Sequence, residues 1–297
     1  MKATRDFLKS LGLPGSDAYD LPTSEKRFSD GAQYRFEVPG IQGPKVMRAL
    51  LEALNDYGLY IHRVTQTKGI MMLTDEEISG MVELAHQWKT DLILAIGPRA
   101  TTDTSASVNT PEGVRMGYRL RGQEQVVRAI EDVKRAARLG CRSFLVYDEG
   151  CLWVLDKFRE AGEIPKDCKF KISAHAGHGN PCSAKLLESI GADSINPVRD
   201  IQLQMLAAMR QAIDCPIDIH TENPKSTGGF IRHYEVPEMI RVAAPIYLKT
   251  GGSVAQTHSW DSTVDDAKKR AKQIVLVKRV VDQYYPEAIC SPKGSID

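Results

Sequence analysis

Chemistry-bearing side chains recur at one kind of place in this sequence, inside or directly behind short apolar runs. The run at 34–38 carries Glu37, and the run at 59–64 brings His62 and Arg63. Arg99 follows 92–96, and Asp148 and Glu149 follow 143–147. His175, His178 and Asn180 follow 169–173, while 194–197 holds Asn196 with Arg199 behind it. The run at 216–220 ends on His220 with Glu222 and Asn223 next, and 245–249 ends on Lys249. Of seven histidines only His86 falls in the body of a helical stretch.

Three chemistries suit these groups. His175, His178, His220 and Glu222, with Asp148 or Glu149 nearby, supply the imidazole and carboxylate donors that Zn, Mn, Fe or Mg takes. An H-x-x-H on a loop is a weak signal, and substrate binding or mutual hydrogen bonding would use the same residues. Acid–base work needs less. Asp148, Glu149 or Glu222 would remove a proton, and His178 or His62 would return it. The plainer alternative is ion pairing with Arg63, Arg99 and Lys249. Anion binding rests on two Gly-Gly pairs, STGGF at 226–230 and KTGGS at 249–253. Gly251 and Gly252 would let backbone N–H groups approach a phosphate or carboxylate, as loops after the last strands of barrels often do. Arg63, Arg99, Arg121 and Lys249 would add charge, with Glu37, Asn180 and Asn196 lining the site. Lys249 could form a Schiff base, although a lysine there more often serves as an anion ligand or ion-pair partner. There is no G-x-S-x-G elbow and no nucleotide-cofactor motif.

A repeating element must gather such scattered groups. Each of the eight runs is followed by a helical stretch, at 44–56, 75–87, 123–139, 151–160, 181–190, 200–212, 235–243 and 262–281. Val46, Leu50, Leu51 and Leu54 mark one apolar face at helical spacing. Thr74 before DEE is a capping signal, and glycines punctuate the helix ends at Gly58, Gly140 and Gly191. Eight β–α units predict a single (β/α)8 TIM barrel over 34–285, with an N-terminal cap over 1–33 and a tail over 286–297. Barrels of this kind hold their sites in the loops behind the strands. The longest connection follows the third strand and carries Arg99, Arg115, Arg119 and Arg121.

Bulk properties exclude several classes. The 297 residues carry a net charge of +1, which argues against nucleic acid as a partner. No stretch has the ~18 apolar residues that cross a bilayer, and no apolar signal segment opens the chain. Six cysteines without a C-x-x-C pair read as reduced thiols, hence a cytoplasmic protein. A homo-oligomer is expected, as barrels commonly self-associate.

Four segments carry a resemblance: IMMLTDEEI (70–78), YDEGCLWVL (147–155), GHGNPCSAKLLESIGADSINP (177–197) and GGFIRHYEVPEMIRVAAPIYLK (228–249). Across Tyr34–Gly252 the chain resembles barrel proteins of the U32 peptidase group. The resemblance implies a (β/α)8 barrel and, nominally, proteolysis. The cysteine-containing signature of the group's peptidases is not found, so no catalytic residue carries over. The leading expectation is an enzyme acting on a small anionic metabolite by acid–base, metal-assisted or metal-free, lyase or isomerase chemistry. A metal-dependent hydrolase of a peptide-like or cyclic amide bond comes second, and a non-catalytic ligand-binding barrel third.

Overall fold

The computed structural model describes residues 2–15, 20–99, 110–111, 113, 117–255 and 262–296. Eight strands close into a parallel barrel: β1 (Tyr34–Pro39), β2 (Arg63–Gln66), β3 (Asp91–Ala95), β4 (Ser143–Val146), β5 (Lys169–Ile172), β6 (Ser194–Ile195), β7 (Ile217–His220) and β8 (Ile246–Lys249). Each strand pairs with its neighbours in sequence, and β8 pairs back onto β1 with Glu37 opposite Lys249. The expected barrel is therefore present.

The helices among the described residues are α1 (Lys2–Ser10), α2 (Pro44–Asp56), α3 (Asp75–Trp88), α4 (Gly122–Arg138), α5 (Glu149–Ala161), α6 (Pro181–Ser189), α7 (Leu203–Ala212), α8 (Val236–Ala243) and α9 (Val264–Tyr284). Their starts follow from local chemistry. Thr74 and Glu77 form a reciprocal capping box on α3, and Thr263 and Asp266 do the same on α9. The apolar stripe of α2 joins Tyr34, Phe36 and Val38 in one core cluster between strands and helices.

Alternate residues of the strands fill the barrel interior, and many are charged. Arg63 reaches Asp91 and Asp218, each at 3.1 Å. Lys171 pairs with Glu37 and, at 2.9 Å, with Asp218. Lys249 lies 3.3 Å from Glu37. Three cations thus face three carboxylates, and such pairing offsets the cost of taking charges out of water. Lys171, Lys249 and Arg63 hold Glu37 far below the ordinary carboxylate range against the opposing effect of burial.

The second strand departs from expectation. It starts at Arg63 rather than at 59, so its exit is Gln66–Lys68. His62 and Arg63 therefore sit at the N-terminal end of the barrel, not at the mouth. Residues 59–62 are held there by the C-terminal tail: the Tyr60 hydroxyl donates to the Ser291 carbonyl, and His62 Nε2 meets the same carbonyl at 2.9 Å. Residues 24–28 pack at the same end. Ser24 bonds the backbone of Arg241 and Ala244, and Phe28 packs edge-on against Tyr247. Helix α1 buries no residue.

Candidate functional site at the C-terminal mouth

Pro39, Gly40, Thr67, Tyr147, Ser173, His175, Asn196, Arg199, His220, Lys249, Gly252 and Arg270 surround a narrow cavity at the strand C-ends, about 50 Å³ in volume. Among the described lining residues three are cations and none is a carboxylate.

Lys249 reaches the mouth as the last residue of β8. Its ammonium lies 3.1 Å from Asn196 Oδ1, and Asn196 is fixed by donating to the Asp218 carbonyl at 2.8 Å. Burial, opposed by Glu37 and reinforced by Lys171, lowers its pKa to about 8. His220 ends β7 directly opposite Lys249 in the strand register. It is buried, and neither ring nitrogen has a hydrogen-bond partner. Burial, with Lys249 and Arg199 adding to it, drives its pKa well below the usual value, so the ring is neutral. A neutral imidazole offers one donor and one acceptor at the same time.

Arg199 donates to His175 Nε2 at 2.8 Å, leaving its Nε unpartnered. Arg270 comes from the otherwise apolar stripe of α9, between Ala267 and Ala271. It donates to the Pro39 carbonyl, and its Nε also lacks a partner. Neither guanidinium makes an ion pair with a described carboxylate. The backbone is shaped around Arg270. A Cβ on Gly40 would stand 2.5 Å from its Nη1, and one on Gly251 would stand 3.0 Å from its Cβ. Both glycines have positive φ.

The carboxylates expected to do acid–base work are committed elsewhere. Asp148 caps α5 by accepting from the Cys151 N–H at 3.1 Å. Glu149 is paired with Arg119 and lies 2.6 Å from His178 Nε2. Burial alone would raise the pKa of Glu149, but the Arg119 bond and charge bring it below the ordinary value. Glu222 latches the last loop by accepting from the Gly251 N–H and, at 2.6 Å, from the Ser253 hydroxyl, with His233 at 3.4 Å. Gly251 therefore spends its N–H on Glu222 rather than on a ligand.

The expected metal set does not assemble. Among the described residues, no three His, Cys, Asp or Glu side chains converge to hold a metal ion. His175 is engaged by Arg199 and stacked on Tyr118 with ring centroids 3.7 Å apart, while His178 and Glu222 are drawn to Glu149 and to the Gly251–Ser253 loop.

Of the expected substrate-binding residues, Lys249, Asn196 and Gly252 line the cavity. Glu37 lies below it in the ion network. Arg99 donates to the Thr67 and Lys68 carbonyls, both at 3.2 Å, and stacks over Tyr147. Asn180 is the exposed N-cap of α6, and Arg121 is exposed at the start of α4. Arg63 lies over the Tyr247 ring at 3.5 Å, at the far end of the barrel. His62 belongs to that end too. Its Nδ1 accepts from the Phe36 N–H at 3.0 Å, which requires a neutral ring, and burial lowers its pKa to about 4. Arg115 lies outside the described residues.

Sequence reasoning missed Arg270, Lys171 and Asp218. An arginine inside an apolar helix stripe, and charges alternating with apolar residues in KFKIS and IDIH, were the available signals.

No family model and no curated protein matches the chain. Among solved structures it is similar to the native KDPGal structure, at 13% identity over 86% of this chain and 99% of that one, with a TM-score of 0.51. It is also similar to a cube-shaped, highly porous protein cage designed by fusing symmetric oligomeric domains, at 13% identity, 85% and 75% coverage and a TM-score of 0.51. A U32 peptidase structure matches at 16% identity over 69% of this chain and 74% of that one, with a TM-score of 0.43. At these identities the likeness concerns the fold alone: this chain is a closed (β/α)8 barrel, the architecture that the resemblance to the U32 group implied. No helix among the described residues is long and apolar enough to cross a membrane.

Proposed function

We propose that this barrel is an enzyme that holds a small anionic metabolite at its C-terminal mouth and acts on it by lyase or isomerase chemistry. One observation carries the reading: the described residues that line the cavity include Lys249, Arg199 and Arg270 and no carboxylate. Lys249 has Glu37 below it, but Arg199 and Arg270 have no described carboxylate; buried cations without counter-ions are costly, and a ligand's phosphate or carboxylate would supply one. Proton handling falls to His220 and Lys249 rather than to Asp148, Glu149 or Glu222, whose oxygens cap, pair or latch. Lys249 with a pKa near 8 has both protonation states populated around neutral pH, as proton transfer requires.

Calorimetry with inorganic phosphate tests the anion site. Wild-type protein is expected to bind it, and Arg199→Met to bind about 10- to 100-fold more weakly, as loss of a charged hydrogen bond implies. Asp193→Asn, at the opposite end, should leave binding unchanged. Absence of binding by phosphate, sulfate and oxalate alike would remove the proposal.

A further inference from the structure

We propose that Lys249 is a covalent nucleophile whose Nζ condenses with the carbonyl of a small substrate that also carries a phosphate or carboxylate. The inference rests on the reading of the mouth as an anion site and goes further by naming the reactive group of the substrate.

Four features of the mouth support it. Lys249 ends its strand at the cavity wall, with its amine 3.1 Å from Oδ1 of Asn196, another lining residue. Glu37 keeps other partners, because Lys171 and the Thr65 hydroxyl already engage the two Glu37 oxygens. His220, its partner across β7–β8, is a neutral ring with both nitrogens unpartnered. Arg199 and Arg270 would hold the anionic group of the same molecule. A primary amine is also the one cation here able to form an imine, which a guanidinium cannot do.

The step balances without a further reactant. The Lys249 ammonium, its pKa lowered to about 8, loses one proton to water, and the amine lone pair attacks the carbonyl carbon. The C–N bond forms while the carbonyl oxygen takes a second proton from nitrogen. A proton from water then returns to the hydroxyl, which leaves as water, and the C=N bond forms. The net change is ammonium plus carbonyl going to iminium plus water. The positive charge stays on the same nitrogen, so Glu37 faces a cation before and after. The iminium then withdraws electrons from the neighbouring carbon, which lyase and isomerase chemistry both need.

Trapping with cyanoborohydride tests the inference. Two probes would be used separately, pyruvate for the carboxylate case and dihydroxyacetone phosphate for the phosphate case, followed by peptide mass mapping. The expected result is a reduced adduct on Lys249 with at least one probe, exceeding that on other lysines by about 10-fold or more because its amine is more often neutral. Excess inorganic phosphate should suppress it. Lys249→Arg, which keeps the cation opposite Glu37 and so guards against misfolding, should show no adduct at 249. Phosphate binding without preferential Lys249 labelling by either probe would overturn the covalent role and leave the anion site standing. Labelling of Lys249 that phosphate does not suppress, in protein that binds no phosphate, would support the nucleophile and remove the anion site.

Discussion

The two ends of this barrel are built from the same strands, yet their charges are arranged in opposite ways. At the N-terminal end a cavity of about 310 Å³ is lined by Arg63, Asp91, Lys169, Asp193 and Asp214. There the charges pair: Arg63 with Asp91 at 3.1 Å, Lys169 with Asp193 at 3.7 Å, and Asp214 with Lys26 at 2.6 Å. At the C-terminal mouth the cavity is about 50 Å³, and its cations Arg199 and Arg270 have no carboxylate partner among the described residues. Volume alone would point to the N-terminal end, and charge imbalance points to the mouth. The imbalance is the better guide, because a fold stabilises itself by pairing buried charges and departs from that at a site kept for a ligand.

Replacing one arginine at each end breaks or sharpens this contrast most strongly. Arg63→Met removes the cation between Asp91 and Asp218 and should destabilise the protein by about 3–5 kcal/mol, measured by denaturant unfolding. Arg199→Met should be neutral or stabilising without ligand, because it removes a buried charge that no described carboxylate offsets. Equal losses at both ends would erase the distinction.

The N-terminal end should also be the acid-sensitive one. His62 must stay neutral to accept from Phe36, and its folded pKa, about 4, lies below the ordinary 6.5. A depressed folded pKa gives stability that is present above the unfolded value and lost as pH falls through the folded one. Its loss should amount to about 3 kcal/mol between pH 6.5 and 4. Unfolding measured across that range should show this limb in the wild type and a flattened one in His62→Gln.

Most of the fold was legible in the sequence because parallel strands buried on both faces read as continuous apolar runs with helical stripes between them. The second strand was misplaced for the same reason. Leu59 and Ile61 extend the apolar run, but residues 59–62 are tied down by Ser291, more than two hundred residues away, and no local pattern records that. The mouth was only half legible. Lys249, Asn196 and His220 are strand residues, and strand position alone brought them there. Arg270 arrives from a helix, and Glu222 and Glu149 look catalytic until their partners Gly251, Ser253 and Arg119 are seen.

A smaller effect probes how the mouth is shaped. Gly40→Ala would force a left-handed conformation and press on the Arg270 guanidinium, costing about 1–3 kcal/mol and weakening phosphate binding. Full retention of both would mean that Arg270 can move aside and plays no part in the site. Smallest of all, ligand-linked stabilisation should distinguish the ends. Phosphate at 100 times its Kd should add about 2.7 kcal/mol to the wild type and much less to Arg199→Met.

Crystals soaked in inorganic phosphate would locate the anion directly. The account predicts phosphate density in contact with Arg199, Arg270 and Lys249 at the mouth. Phosphate bound instead in the N-terminal cavity beside Arg27 and Lys169, with the mouth empty, would contradict it.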